Sequence, residues 1–488
     1  MSANLDLSSV EVRERRLKSI ISYNGTAKDL SDKSKSKSLN IRERSYGQCS
    51  DCAQGCGQVI SYTIRGAAVI EHSPIGCSAP AVSALGINVA NKARGLPPQK
   101  TNVLSTNLTE KDTVYGGIEK LNATVREAKR RFDPTAIFVQ SSCAAGIIGD
   151  DIESATTALQ EELGIPVVPI FCEGFKSRIW STGFDASFHG ILRKIVKEPK
   201  KKQPDLVNVF NFEGSDTFTP LLAPLGLRVN YVVPLSDVHQ LEELSEAACS
   251  THICETLATY PANALEKYYG VPEVKAPPPF GVKWTDEWLR DIARITGKQD
   301  LVEDYIAREH ERIKPELEAA KEKLKGLKFY IFAGDSYAHS IANMLLDLGV
   351  DLIGVTTLHH DQLTDGGEES IDSLGNLVNS HGDVPNFTVC NKQPYQVYKI
   401  LTKLKPDVMI VRHMNMAVLG AKLGIPSIND GDVNISAGYD GLARLAERLY
   451  QASKAKKLFQ NVAAHTQNPY SEWWLSQEDP FYFEGGHQ

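Results

Sequence analysis

The sequence predicts an α/β protein built from three doubly wound, Rossmann-like parallel-sheet domains. At 488 residues, the chain exceeds the roughly 250–300 residues at which a single hydrophobic core stops growing. Its composition, 42% hydrophobic and 23% charged with 36 Gly and 24 Pro, is that of an ordinary globular protein. Short apolar runs alternate with longer amphipathic ones, which is the pattern of βα units in a parallel sheet.

Residues 1–40 are polar, as in LSDKSKSKSLN, and read as an arm that crosses a partner or stays mobile. The first domain, 41–205, has strand runs at Thr135–Gln140 and Pro166–Phe171 and helical runs at Lys111–Arg131 and Gly149–Glu162. It closes on Lys197–Asp205, whose basic run Lys197–Lys202 reads as a solvated interdomain loop. The second domain, 206–325, has strands at Val207–Phe212 and Val229–Val233 and a helix at Asp300–Lys325. Within it, the prolines of APPPFGVKW, Ala276–Trp284, suit an interdomain crossing. The third domain, 326–467, has strands at Phe329–Phe332, Leu352–Val355 and Val408–Val411, and helices at Ser340–Leu348, Tyr395–Lys405 and Gly438–Tyr450. The tail 468–488 carries Trp473, Trp474, Phe481, Tyr482 and Phe483, residue types enriched at interfaces, and is expected to pack on a partner or a domain seam.

A net charge of −7 gives no field for nucleic acid. The N-terminus lacks a secretory signal pattern, and no stretch approaches the roughly 20 apolar residues of a membrane span, so a cytoplasmic protein is expected. In a reducing compartment the nine cysteines are expected to be ligands or reactive thiols rather than disulfides.

In doubly wound sheets, ligands sit beyond the carboxyl ends of strands. Cys143 and His413 each follow a strand run directly. Cys49, Cys52 and Cys56 cluster in CSDCAQGC, Cys77 ends HSPIGC, and Cys143 lies in SSCAAGIIGDDIE. Thiolates hold iron–sulfur clusters, and Gly55, Gly57, Gly76 and Gly146 would let backbone approach sulfide. Free N–H groups at a helix start near Gly149–Asp151 would favour an anionic group. Spacing alone leaves zinc equally open.

The strings HSPIGC, VQSSCAAGIIGDDIE, VPIFCEGF and YYGVP resemble the alpha-subunit (D-type) family of nitrogenase component one, in order and spacing, from about residue 45 to 450. The resemblance makes Cys77 and Cys143 two of three alpha-side ligands of an eight-iron bridging P-cluster. Cys52 is the match to the third, with Cys49 and Cys56 as its local competitors. It implies a K-type (beta-like) partner that supplies the other ligands, an α2β2 heterotetramer and an ATP-dependent iron protein. It also makes Cys254, rather than Cys249, the thiolate capping a large catalytic iron–sulfur cofactor, whose heterometal it leaves open.

The chain departs from nitrogenase at the far end of that cofactor. Gly424–Gly441, GIPSINDGDVNISAGYDG, contains no histidine, so His413 is the expected second anchor and the His359–His360 pair the runner-up. After Glu173–Phe175, Trp180 and Phe184 stand where nitrogenase carries a glutamine and a histidine, Leu85 replaces an arginine, and Val59 adds a further apolar wall. An apolar cavity suits a small apolar substrate better than one needing placed proton delivery. This combination resembles methylthio-alkane reductase, which implies reductive C–S cleavage of dimethyl sulfide-like compounds to methanethiol and hydrocarbon. The rival expectations are an unusual nitrogenase, a tetrapyrrole reductase, and a non-catalytic scaffold for cofactor assembly.

Overall fold

The computed structural model describes residues 3–12, 15–16, 18–20, 22–39, 52–78, 91–92, 94–177, 179–211, 216–362, 364, 371–390, 394–412, 414–431 and 435–476. Three multi-stranded sheets organise them. The first runs β4-β3-β5-β6, with β3 Ala67–His72, β4 Val103–Ser105, β5 Ala136–Ser141 and β6 Val167–Ile170 all parallel. β3 and β5 are buried along their whole length and pair from Ala67↔Ala136 to His72↔Ser141. Helices on both faces demand the continuous apolar character of AIFV in β5.

The second sheet is β8-β7-β9, again parallel, from β7 Gln203–Phe210, β8 Arg228–Val232 and β9 Ala247–His252. The third is β15-β14-β10-β11-β13-β2, from β10 Lys328–Ala333, β11 Asp351–Thr357, β13 Phe387–Cys390, β14 Val408–Val411 and β15 Ser427–Asn429, with β2 Ser22–Gly25 antiparallel at its edge. β1 Ser19–Ile20 pairs with β12 His360–Asp361 in a separate two-stranded ladder. The α/β class and parallel sheets expected from the sequence are present.

Several boundaries differ. The chain divides into two compact units, Met1–Arg16, Asp51–Val274 and Ile292–Lys298 in one, and Leu17–Ser50, Lys275–Asp291 and Gln299–Gln488 in the other. The first two sheets therefore share a unit across the boundary expected near 205. Lys197–Asp205 is no free linker: Lys197 pairs with Glu242, Lys202 Nζ donates to the Ser245 and Tyr269 carbonyls at 2.9 and 2.8 Å, and β7 starts at Gln203. The chain does change unit at Val274–Lys275, beside the proline-rich segment.

The N-terminal residues are not a loose arm. In the first unit, Lys267 Nζ and Tyr268 OH donate to the Ala3 carbonyl, 2.7 Å each, and Arg16 forms a buried ion pair with Asp185. In the second, β2 extends the sheet and Thr26 caps the helix Ala27–Lys35 by accepting from Asp29 N. Polar side chains that pair with buried partners look like solvated ones in sequence. The helix expected over Lys111–Arg131 is two, Glu110–Tyr115 and Ile118–Phe132, broken at Gly116 (φ 86°) and Gly117.

Candidate thiolate site

Strand order explains where side chains converge. In the first sheet, consecutive connections leave in opposite directions between β3 and β5, which opens a crevice beyond their carboxyl ends. Cys77 lies in the 3-10 turn Ile75–Ser78 after β3, and Cys143 opens the helix Cys143–Ile148 after β5. Cys52 is the N-cap residue of the helix Ala53–Ser61.

Gly174, in the turn after β6, marks how closely two of these approach. A Cβ at Gly174 would lie 3.0 Å from Cys52 Cβ, 3.5 Å from Cys52 Sγ and 3.6 Å from Cys143 Sγ. Cys77 belongs to the same group: its thiol is pushed up by partial burial, then by its electrostatic coupling to the neighbouring Cys52 and Cys143, and by Glu71. Cys52 and Cys77 are exposed and Cys143 is half-buried, so the three open outward from the chain.

The loops are tied together by hydrogen bonds. Ser142 Oγ donates to the His72 carbonyl at 2.8 Å and accepts from Ala145 N at 3.3 Å, linking the Cys143 helix to the strand before Cys77. His72 Nε2 lies 2.9 Å from Asp150 Oδ2, and Asp150 accepts from Gly117 N at 2.9 Å. Burial pushes the His72 imidazole down from its usual value, with Asp150 opposing. Gln58 Nε2 donates to the Cys77 carbonyl at 2.9 Å.

Behind the cysteines sits a buried polar layer that sequence reasoning missed. Glu71 is fully buried, and its carboxylate accepts from Tyr62 OH and from Gln54 Nε2, each at 2.7 Å. Burial raises its carboxyl above the usual range, opposed by hydrogen bonds from Tyr62, Gln54 and Gln58. Cys172 is a fourth nearby thiol. Its Sγ donates to the Ser141 carbonyl at 3.4 Å, and burial, with Glu71, Glu173, Cys52 and Cys143, pushes it well above its usual value. Glu71 directly precedes HSPIGC and Cys172 lies within VPIFCEGF, but what brings them together is the pairing of β3, β5 and β6.

Cys56, a competitor of Cys52, is buried at 2% exposure against Gly183. Cys49 lies outside the described residues. A Cβ at Gly183 would meet the Ala53 carbonyl at 1.9 Å, so the helix Thr182–Lys194 packs directly on the helix Ala53–Ser61. Its other face packs on the helix Glu255–Tyr269, where His189 Nδ1 lies 2.7 Å from Tyr260 OH.

Cys254 is the N-cap residue of that last helix, immediately beyond β9 and 5% exposed. The order β8-β7-β9 places it at the switch point of the second sheet. His252 Nε2, on the same strand end, lies 3.1 Å from Glu273 Oε1 with both side chains fully buried. Cys249 is a wholly buried strand residue.

Trp180 and Phe184 meet edge to face, centroids 5.8 Å apart. Phe184 is buried at 3% and Trp180 is half-buried. Val59 is 42% exposed on the helix Ala53–Ser61, whose buried residues include Cys56 and Ile60. His413 and Leu85 lie outside the described residues. His359 and His360 are fully buried beyond β11 in the second unit. Tail residues Trp473 and Trp474 are exposed at 62% and 48%, and the Tyr395 ring lies tilted at 55° to Trp474, centroids 5.7 Å apart.

The family model for nitrogenase component 1 type oxidoreductase matches residues 52–454. The chain belongs to that family. Within it, relatives include a nitrogenase iron-molybdenum cofactor biosynthesis protein NifE of Methanococcus maripaludis, 27% identical over 82% of each chain. A nitrogenase molybdenum-iron protein alpha chain of Clostridium pasteurianum is 31% identical over 70% of this chain and 66% of its own. The solved structure "Nitrogenase Cp1 at pH 6.5" shares the fold at a TM-score of 0.70 and 23% identity, covering 89% of this chain and 93% of that one. Among the described residues of this component 1 type chain, no helix is long and apolar enough to cross a membrane.

Proposed function

We propose that the chain is the catalytic D-type subunit of a nitrogenase-like reductase that cleaves C–S bonds in small methylthio-alkanes. Cys52, Cys77 and Cys143 would bind one side of an eight-iron cluster shared with a K-type subunit, and Cys254 would cap a large catalytic iron–sulfur cofactor. The residues fit such groups. Three cysteines converge at a switch point, a glycine stands where a side chain would fill their cradle, and the two outer thiols face away from the chain. His413 is the proposed second anchor of the cofactor.

The observation that carries the substrate reading is the aromatic pair Trp180–Phe184 at the positions of nitrogenase's polar reaction face. These rings would exclude water and hold an apolar thioether by contact rather than by hydrogen bonds. The bound clusters supply electrons. The balance for dimethyl sulfide is CH3–S–CH3 + 2e⁻ + 2H⁺ → CH3SH + CH4, with the electrons delivered by an ATP-dependent iron protein.

A second reading, a scaffold for cofactor assembly, is favoured by the likeness to the NifE relative across most of the chain. One experiment separates the two. The two-subunit complex, supplied with iron protein, ATP and dimethyl sulfide, is assayed for methanethiol and methane, and in parallel for cluster transfer to an apo component 1 protein. Methanethiol formed in step with ATP hydrolysis supports the reductase. Transfer without methanethiol supports the scaffold and overturns C–S cleavage.

A further inference from the structure

The second unit holds its own concentration of ligand-type side chains, with no cysteine among them. Asp335 follows β10 directly, at the N-terminal turn of the helix Asp335–Asp347, and His359, His360 and Asp361 follow β11, the neighbouring strand. Exposure is 2% at Asp335, 0% at His359 and 1% at Asp361. One ligand atom from each of these three lies within 4.8 Å of the other two.

We propose that Asp335, His359 and Asp361 bind a single divalent first-row transition-metal ion. His359 Nδ1 lies 3.8 Å from Asp335 Oδ2 and 3.6 Å from Asp361 Oδ2. Those separations are too long for direct hydrogen bonds, which run to about 3.2 Å. They are close to the spacing of two donors on one ion, about 3.4 Å for tetrahedral bonds of about 2.1 Å. Two carboxylates and one neutral imidazole carry a charge that a divalent ion balances. Without a cation, two carboxylates held this close in the interior repel one another. The O,N,O donor set suits zinc, iron(II) or manganese(II) and disfavours soft monovalent copper.

The outer layer of the site has the form that metal centres use to orient ligands. Three side chains there, the ligand Asp361 and the flanking His360 and His339, are each hydrogen-bonded by a serine of a different element. Ser19 Oγ of β1 donates to Asp361 Oδ1. Ser34 Oγ of the helix Ala27–Lys35 lies 2.5 Å from His360 Nε2, and Ser373 Oγ lies 2.8 Å from His339 Nδ1. His360 Nδ1 and His339 Nε2 then stand 3.8 and 3.7 Å from Asp335 Oδ1, flanking the third ligand. The antiparallel register Ser19↔Asp361 of β1 and β12 fixes the Asp361 side chain against its serine.

The test is a titration of the full-length chain with cobalt(II) chloride under anaerobic conditions, followed by visible spectra and by metal analysis after desalting. The wild type is expected to hold one Co²⁺ more than His359→Gln, with a weak ligand-field band and no thiolate charge-transfer band from that ion. Equal retention by wild type and variant, or a difference carried wholly by a thiolate band, overturns the site. Ser19→Ala keeps all three ligands and guards against a variant that does not fold. It is expected to weaken Co²⁺ affinity by about 10-fold or more, and an unchanged affinity in a folded Ser19→Ala protein also overturns the proposal. None of these outcomes depends on C–S cleavage.

Discussion

Gly174 shows how a single missing side chain can reserve space. With two sulfur atoms 3.5 and 3.6 Å from where its Cβ would be, Gly174→Ala is expected to strip most of the iron from the thiolate site while leaving the thermal midpoint close to that of the wild type. Iron and sulfide analysis beside a melting curve checks both halves. Asp347 offers a pH reading. Burial pushes its carboxyl from 3.8 up to about 6, against the Val282 N–H, Lys321 and Lys283 and with Asp286 adding to the rise, and His381 Nε2 faces it at 3.5 Å. Because the folded value is the higher, its contribution to stability is complete below the ordinary carboxylate value and is lost as pH rises to about 6. Asp347→Asn should therefore flatten the melting-temperature profile between pH 4 and 6, and an unchanged profile rejects the assignment. At this scale the sequence singled out cysteines that the fold brings near one another, Cys52, Cys77 and Cys143, but not their surroundings. Cys77, Cys143 and Cys254 stand in strings with a recognisable order, whereas Glu71, Cys172 and Asp335 acquire meaning only when parallel strands set them side by side.

Elements that were hard to read are those whose polar residues are buried with partners. β3, AAVIEH, ends in Glu71 and His72, and β9, AACSTH, ends in Ser250, Thr251 and His252, all buried. A search for uninterrupted apolar runs passes over both, yet finds AIFV of β5 and VMIV of β14. The helix Thr182–Lys194 escapes for a related reason: it is buried on nearly all sides, so it has no polar stripe to give a helical period, and Asp185 and His189 are satisfied internally. The short helix Cys143–Ile148 depends on its cap. Ser142→Ala removes both the bond to Ala145 N and the tie to the His72 carbonyl, and is expected to cost about 1 kcal/mol or more. Chemical denaturation of the variant measures it, and a loss of a few tenths would show that the cap is dispensable.

Over the whole molecule, the alternation of runs was enough to announce parallel α/β sheets but not how they group. The basic segment after Ile195 resembles a linker in composition, while two of its lysines, Lys197 and Lys202, are committed to Glu242, Ser245 and Tyr269. The exposure of Cys52 and Cys77 leads to an expectation about assembly. Expressed alone, the chain should carry much less iron at the thiolate site than when produced with the proposed K-type subunit, as size-exclusion chromatography with iron analysis would show. Equal iron in the lone chain would mean that the site is complete without a partner. Gly183 adds a consequence of a different kind. The helix it begins is wedged between the helix capped by Cys52 and the one capped by Cys254, and it cannot slide, because the Ala53 carbonyl occupies the space of a Cβ. Electron tunnelling slows steeply with distance, so in the proposed reductase this helix is a spacer that sets the tempo between two redox centres. A bulkier residue at Gly183 would then be felt as slow internal electron transfer in a protein with both centres filled.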